Sequence, residues 1–317
     1  MNILVTGAAG FVGSALCTEL LALGHDVYAH VRPGSTWPCG TTPVACNLEA
    51  LPAAFEGLAG IDVVVHLAGR AHKLGDTAAD PLQAFMSVNR DATVALAKAA
   101  DAAGVKRFLF ISSIGVHGNL TGDQPFTEHS PFAPAADYAQ SKMQAEIQLV
   151  ELLKTRTMEL VRIRPPLVYG AQAPGNFRKL LKMTSLGLPL PFGGVRNQRS
   201  LISLSNLVSI IALCTTHPNA ANEDFVVSDG SRLSIAEISR ALGRGLGRTP
   251  PMIWVPSILL RGAFSLSGKR SIYEQLFLSL VVDSSKSERL LGWTPRESTL
   301  SALEVCAQAF KRTPGKP

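Results

Sequence analysis

The sequence predicts a doubly wound α/β fold, a parallel sheet covered by helices on both faces, followed by a smaller C-terminal lobe. Three observations carry that expectation. The chain opens on a strand, glycine loop, helix, strand unit; apolar strand-like runs then alternate with helical stretches as far as residue 170; and beyond it the chain turns proline- and glycine-rich.

The opening unit reads element by element. NILVTG is a short apolar run rich in β-formers, GAAGFVGSALCTELLALGH turns it into an amphipathic helix ended by Gly24, and DVYAHVR is a second β-type run. The loop between them spaces Gly7, Gly10 and Gly13 as GxxGxxG. Gly7 allows the tight turn, Gly10 the close approach of backbone to a pyrophosphate, and Gly13 the close packing of helix on strand. Unpaired N–H groups at the helix start then face the phosphates. A glycine triplet alone is weak; its place between a strand and a helix gives it weight.

Further apolar runs follow at 61–69 (IDVVVHLAG), 107–113 (RFLFISS) and 160–170 (LVRIRPPLVYG), separated by helical stretches such as FMSVNRDATVALAKAADAAG. Near-continuous hydrophobic strands between helices imply a parallel sheet buried on both faces. Residues 1–170 are therefore expected to form a dinucleotide-binding domain of Rossmann type. Residues 171–317 are expected to form mainly a substrate-binding lobe, with part of the chain returning to the first domain. Within that lobe 171–275 reads as irregular, broken by the strand-like EDFVVSD and the helix-like SIAEISRALGRGLG.

Composition narrows the function classes. With 317 residues, 46% hydrophobic and 17% charged, the chain is globular and well cored. Cys17, Cys39, Cys46, Cys214 and Cys306 form no CxxC pair and have no histidine at metal-ligand spacing, so they read as free thiols in a reducing compartment, with no metal site. The N-terminus lacks the pattern of a signal peptide, and no apolar run approaches the ~18 residues of a membrane span. A cytoplasmic location without a membrane partner is expected. The net charge of +6 comes from dispersed arginines and lysines, which suit an anionic small ligand better than nucleic acid.

Residues 138–142 read YAQSK, placing Tyr138 and Lys142 four apart and so on one helix face. Alone, such a pair is ordinarily a solvated face. Here it stands in an ordered series: TGAAGFVG, HLAG at 66–69, Val88 and Asn89, ISSIGVHG at 111–118, YAQSK, RPPLVYG, and VDSSKSERLLGWTP at 282–295. In this order the motifs resemble, over nearly the whole chain, the extended short-chain dehydrogenase/reductase family of nucleotide-sugar epimerases, dehydratases and reductases.

The resemblance implies roles. Ser113, rather than Ser112, is the catalytic hydroxyl that meets the sugar oxygen. Tyr138 is the general acid/base, its phenol lowered from ~10 by the Lys142 ammonium and an oxidised nicotinamide, and Lys142 also holds the nicotinamide ribose. The cofactor is held by Gly7, Gly10, Phe11, Val12, Gly13, Arg32, Asn47, Leu48, Leu67, Ala68, Gly69, Asn89, Tyr138, Lys142, Pro165 and Val168. The substrate is held by Ser113, Asn176, Phe177 and Arg199, an arginine fork suiting a diphosphate. Arg196 and Arg70 are weaker candidates.

The cofactor is NAD(P)(H), leaning to NADP(H), because YAHVRPG offers His30 and Arg32 and no acid where NAD-preferring members carry one. Two departures weigh against a plain hexose 4-epimerase: the second arginine ahead of LVVDSSK is missing, and His117 replaces a tyrosine. The chain looks most like bacterial reductases that act on a UDP-4-keto-6-deoxy-N-acetylhexosamine in surface polysaccharide synthesis. A UDP-hexose or UDP-N-acetylhexosamine 4-epimerase with tightly bound NAD is the alternative, and a non-catalytic NAD(P)-binding sensor is the reading from another class. Relatives pair through helices near FMSVNRDATVALAKAA and YAQSKMQAEIQLVELL, which implies a homodimer.

Overall fold

The computed structural model describes residues 1–52, 55–70, 80–267 and 270–312. The first half runs β1 (Asn2–Thr6), α1 (Phe11–Ala22), β2 (Asp26–Val31), β3 (Thr42–Ala45), β4 (Val63–His66), α2 (Pro81–Met86), a π-turn (Ser87–Asp91), α3 (Ala92–Ala102), β5 (Arg107–Ile111), α4 (Asp137–Leu153) and β6 (Glu159–Arg164). The second half runs β7 (Leu167–Tyr169), α5 (Asn176–Ser185), β8 (Arg199–Ser203), α6 (Leu204–Thr216), β9 (Asp224–Val226), β10 (Arg232–Leu233), α7 (Ile235–Leu246), α8 (Ser257–Leu266), α9 (Arg270–Phe277), α10 (Ser285–Leu291) and α11 (Thr299–Arg312).

Seven parallel strands form the main sheet in the order β3-β2-β1-β4-β5-β6-β9. Chain direction across the sheet reverses between β1 and β4, where a crevice opens outside the C-terminal strand ends. This is the doubly wound sheet that the apolar runs imply. The β1 register onto β2 and β4 brings Thr6 opposite His30 on one side and His66 on the other.

Two stretches differ from the sequence expectation. The run 160–170 is not one strand: β6 belongs to the large sheet and β7 to a three-stranded sheet ordered β10-β8-β7. Pro165 and Pro166 separate them, because neither carries an N–H for a ladder and both fix φ. The region 171–275 is mostly helical, with α5 to α9 each eight to thirteen residues long. Its prolines and glycines punctuate short helices rather than loops, and α7 starts from a full capping box between Ser234 and Glu237.

Apolar packing ties later segments back to the large sheet. Leu207 of α6, Phe225 of β9, Leu291 of α10 and Trp293 share a cluster with Val5 and Ile163. A separate cluster built on Phe177, Phe192, Leu242 and Leu303 supports the small sheet. Among the described residues no helix is long and apolar enough to cross a membrane.

A buried charge cluster fastens α4 to β6 and β9. Arg164 donates from Nε to Glu146 Oε1 at 3.0 Å and from Nη2 to Asp224 Oδ2 at 3.0 Å, and Arg162 Nε reaches Asp224 Oδ1 at 2.6 Å. Glu146 and Arg164 are essentially fully buried. Removing one partner of such a pair leaves an uncompensated buried charge. Glu146→Gln should therefore lose about 3–5 kcal/mol of unfolding free energy in urea titrations, and replacing both residues with Glu146→Leu and Arg164→Met should recover much of that loss. An unchanged midpoint in the single variant would show that the pair does not hold α4.

Candidate active site

The glycine loop is built as a cradle. Gly7 sits at φ +67°, and a Cβ there would stand 2.9 Å from Ala68 N. A Cβ on Gly13 would stand 2.1 Å from Gly7 O, so only glycine lets α1 lie this close to the end of β1. Helix α1 has no side-chain cap on its N-terminus, which leaves its first N–H groups open toward the exposed Gly10. Phe11 lies over Gly170, whose Cβ would stand 3.0 Å from the Phe11 ring, and Val12 packs on the sheet core. These open donors and close backbone approaches fit a dinucleotide pyrophosphate.

Across the crevice, a hydrogen-bonded chain fixes the segment after β4. Ala68 N donates to Thr6 Oγ1 at 3.1 Å, and Thr6 Oγ1 lies 2.7 Å from His66 Nδ1. His66 Nε2 lies 2.8 Å from Thr93 Oγ1, which donates to Asn89 O at 2.8 Å. The last bond makes His66 Nε2 the donor and Nδ1 the acceptor. Burial, with the Lys142 charge second, holds His66 well below its ordinary range, so it is neutral.

Asn89 is fully buried in the π-turn, a helix irregularity that recurs at functional sites. It accepts from Arg70 N at 2.7 Å and donates to Arg70 O at 3.1 Å and Ser141 Oγ at 2.9 Å. Ser141 Oγ in turn donates to the Tyr138 carbonyl at 2.8 Å. The loop after β4 is thereby tied to the first turn of α4, which carries Tyr138 and Lys142.

Lys142 is 3% exposed, and its Nζ donates to Ile111 O at 3.0 Å and lies 4.5 Å from the Phe110 ring centroid. A Cβ on Gly69 would stand 3.5 Å from that Nζ and 3.0 Å from Asn89 Oδ1. Burial pushes Lys142 down to about 8, with Glu146 opposing. Tyr138 packs edge-on to Phe85 at 6.2 Å, and burial pushes its phenol up to about 12. The sequence expectation of a lowered phenol concerns the enzyme with an oxidised nicotinamide beside it; in the protein alone the phenol is raised. Desolvation outweighs the lysine, whose ammonium is turned to the Ile111 carbonyl, so lowering the phenol requires positive charge that the protein itself does not supply.

Ser113 caps a 3₁₀ turn, its Oγ accepting from Gly115 N at 3.1 Å, and it is half-buried. Its own hydroxyl proton is left for another acceptor. A Cβ on Gly115 would stand 3.3 Å from both Ser113 Oγ and Ala139 Cβ, so Gly115 lets the serine and the start of α4 meet. Pro165 O accepts from Ile114 N at 2.9 Å beside them. Ser112 is buried, and its Oγ has no partner among the described residues.

Other expected residues lie further out. Arg32 follows β2 and is exposed; Asn47 caps a short turn by accepting from Glu49 N, and Leu48 packs on the core below α3. They share the C-terminal edge of the large sheet with Leu67, while Val168 lies in β7 of the small sheet; both Leu67 and Val168 pack on the large sheet's core. In the lobe, Asn176 Nδ2 donates to Gln275 Oε1 at 2.5 Å, and the Phe177 ring is buried against Tyr169. Only the Phe177 backbone, in the uncapped first turn of α5, is open to a ligand.

Arg199 donates to Leu278 O at 3.0 Å and has no carboxylate partner among the described residues, and desolvation lowers it to about 10. Arg196 is exposed, and Arg70 lies over the Phe85 ring. His117 has one ring nitrogen at Pro131 O and the other at Arg164 Nη1. Both ring nitrogens are thereby engaged within the protein.

Sequence reasoning missed His66, Thr6, Thr93 and Ser141, which touch no expected ligand and carry no spacing signal. Fold and cleft together define an NAD-dependent enzyme of Rossmann type. The chain belongs to the NAD dependent epimerase/dehydratase family, whose family model matches residues 3–228. It is 42% identical over 313 residues to a UDP-glucose 4-epimerase of Vibrio cholerae, covering 98% of this chain and 95% of that one. Two solved structures share the fold over 99% of this chain. One is UDP-glucose 4-epimerase of Thermotoga maritima with UDP-glucose, at TM-score 0.79 and 21% identity over 100% of that chain. The other is a short-chain dehydrogenase/reductase superfamily protein of Agrobacterium tumefaciens with bound NAD, at 0.77 and 21% over 98% of that chain.

The Lys142 shift has a thermodynamic consequence. A lysine whose folded value is about 8 against 10.5 unfolded is disfavoured when charged, so the unfolded chain binds more protons between those values. Its contribution to stability therefore rises with pH through that window, with a slope approaching about 1.4 kcal/mol per pH unit. In urea unfolding of the ligand-free protein, Lys142→Met should flatten the stability profile between pH 8 and 10.5 relative to wild type. Parallel profiles would mean that Lys142 is not desolvated.

Proposed function

We propose that the chain transfers hydride at C4 of a UDP-sugar and interconverts the two C4 epimers. The observation that carries this reading is Gly115 between Ser113 Oγ and Ala139 at the start of the helix that bears Tyr138 and Lys142, with Asn89 and Gly69 close to the lysine. The curated relative at 42% identity, a UDP-glucose 4-epimerase, supports the choice of reaction.

NAD, when bound along the glycine cradle, supplies the hydride acceptor and donor. Tyr138 exchanges the proton of the sugar O4. Ser113 donates its free hydroxyl proton to the same oxygen, and the protonated Lys142 favours the phenolate and holds the ribose. Arg199, a desolvated guanidinium without a carboxylate, suits the substrate diphosphate. Asn176 and the Phe177 backbone flank that group at the start of α5.

Reduction of a UDP-4-keto-6-deoxy-N-acetylhexosamine is the second reading. It is favoured by the stretch 271–279, SIYEQLFLS, which holds no arginine ahead of LVVDSSK. Incubation with UDP-hexoses and UDP-4-keto sugars, following product and reduced cofactor together, separates the two. An epimerase interconverts UDP-hexoses with no net cofactor consumption; stoichiometric NAD(P)H use on the keto sugar without interconversion would overturn the first reading. Failure to turn over either class would leave only a cofactor-binding sensor.

Tyr138→Phe keeps the ring packing and removes the proton, so kcat should fall by ~10²- to 10⁴-fold while NAD binding persists. Near-normal turnover removes Tyr138 from the mechanism.

A preference for NADP rests on Arg32, exposed at the end of β2 with no carboxylate partner among the described residues. If its guanidinium meets the 2′-phosphate, Arg32→Ala should weaken NADPH by roughly ten- to hundred-fold and spare NADH. Equal losses for both cofactors, or none, would sink the preference. Ile147 and Val150, exposed on α4, supply the apolar face for a homodimer, which sedimentation as a monomer at micromolar concentration would exclude.

A further inference from the structure

Charge is unevenly distributed along this chain. Residues 165–222 and 238–273 together contain eleven Lys and Arg and no Asp or Glu, whereas the remainder carries 19 basic and 24 acidic residues. The second acid-free stretch includes α8, SILLRGAFSL, and Glu274 of α9 ends it.

Helix α8 is apolar on more than its packed side. Leu260 and Phe264 lie against the lobe core. Ile258, Leu259 and Leu266 project outward at 76%, 61% and 93% exposure, with the exposed Arg261 among them. Just ahead of the helix, Ile253 and Trp254 are 48% and 69% exposed, and the indole lies against the backbone of Gly194. Ile253 N donates to Leu190 O at 2.8 Å, which brings alongside the loop that carries the exposed Leu186 and Leu188.

Isolated exposed leucines are ordinary, but a group of large apolar side chains with the exposed Arg196, Arg248 and Arg261 around it is not. We propose that this face, centred on α8 and Trp254, is a peripheral docking surface for an anionic phospholipid bilayer. A helix lying in the plane of the interface buries its outward apolar residues at the acyl boundary, while arginines meet the phosphates. Tryptophan favours the same depth. Charge selects this occupant: a second copy presenting the same face would set the exposed Arg196, Arg248 and Arg261 against their own copies. The helix lies on the membrane and does not cross it, since ten residues span only about 15 Å.

The test uses the full chain and sedimented vesicles, and is independent of the catalytic reading. Wild type should partition onto vesicles of phosphatidylcholine with phosphatidylglycerol, bind pure phosphatidylcholine vesicles far less, and be released as salt rises from ~0.1 to ~1 M. Leu259→Ser with Leu266→Ser should cut partitioning by roughly tenfold or more, and Arg261→Glu should do so on anionic vesicles alone. An unchanged urea midpoint in these variants shows that the fold is intact. Absence of wild-type binding to anionic vesicles, or equal binding by wild type and variants, overturns the proposal. So does lipid-free self-association that the leucine substitutions abolish, which would make the face an interface between copies.

Discussion

The cleft depends on a buried amide that has to be satisfied. Asn89 has no access to solvent, and an unmet donor or acceptor there costs about 1–3 kcal/mol. Its three hydrogen bonds can be made only if the backbone of Arg70 and the hydroxyl of Ser141 stand where they do. The π-turn brings the amide to that point, and Thr93, bonded to its carbonyl, continues the connection through His66 to Thr6 and the segment beside Gly7. Glycine cradle and Tyr138 helix are thus held in register by polar bonds, which are directional in a way that apolar contacts are not.

Electrostatics in the cleft follow from the same enclosure. Burying Lys142 disfavours its charge, and the Ile111 carbonyl, the Phe110 ring face and Glu146 oppose that penalty. Glu146 lies one helical turn beyond Lys142 and is also the main partner of Arg164. The charge that steadies the active-site lysine is therefore the charge that fastens α4 to the sheet. Tyr138 lacks such compensation and keeps its proton until further positive charge enters the crevice.

Much of this was legible in the sequence, and for physical reasons. Gly7 and Gly13 stand where backbone approaches leave no room for a Cβ, so glycine spacing reports the fold directly. The spacing of Tyr138 and Lys142 works because a helix repeats its face every four residues. Burial, by contrast, cannot be read from spacing, so the desolvation that raises the Tyr138 phenol in the cofactor-free protein was not visible in the sequence. The break at Pro165 and Pro166 was visible as residues but not as a change of sheet, which only long-range pairing with β8 and β10 decides. Helices α5, α6, α8 and α9 were hidden because propensity in short, punctuated segments is a weak prior that tertiary packing overrides.

Composition of the lobe unites its interior and its surface. A carboxylate beside Arg199 would neutralise that buried guanidinium and compete with any anionic ligand for it; without one, the desolvation penalty is relieved only when an anion arrives. On the surface Arg244 is met by Glu304, while Arg196, Arg248 and Arg261 stand exposed around α8. An acid introduced for solubility almost anywhere in residues 165–222 or 238–273 would weaken one of these two attractions. On the proposed readings, the desolvated Arg199 meets a diphosphate and the exposed Arg261 a phosphate-bearing surface.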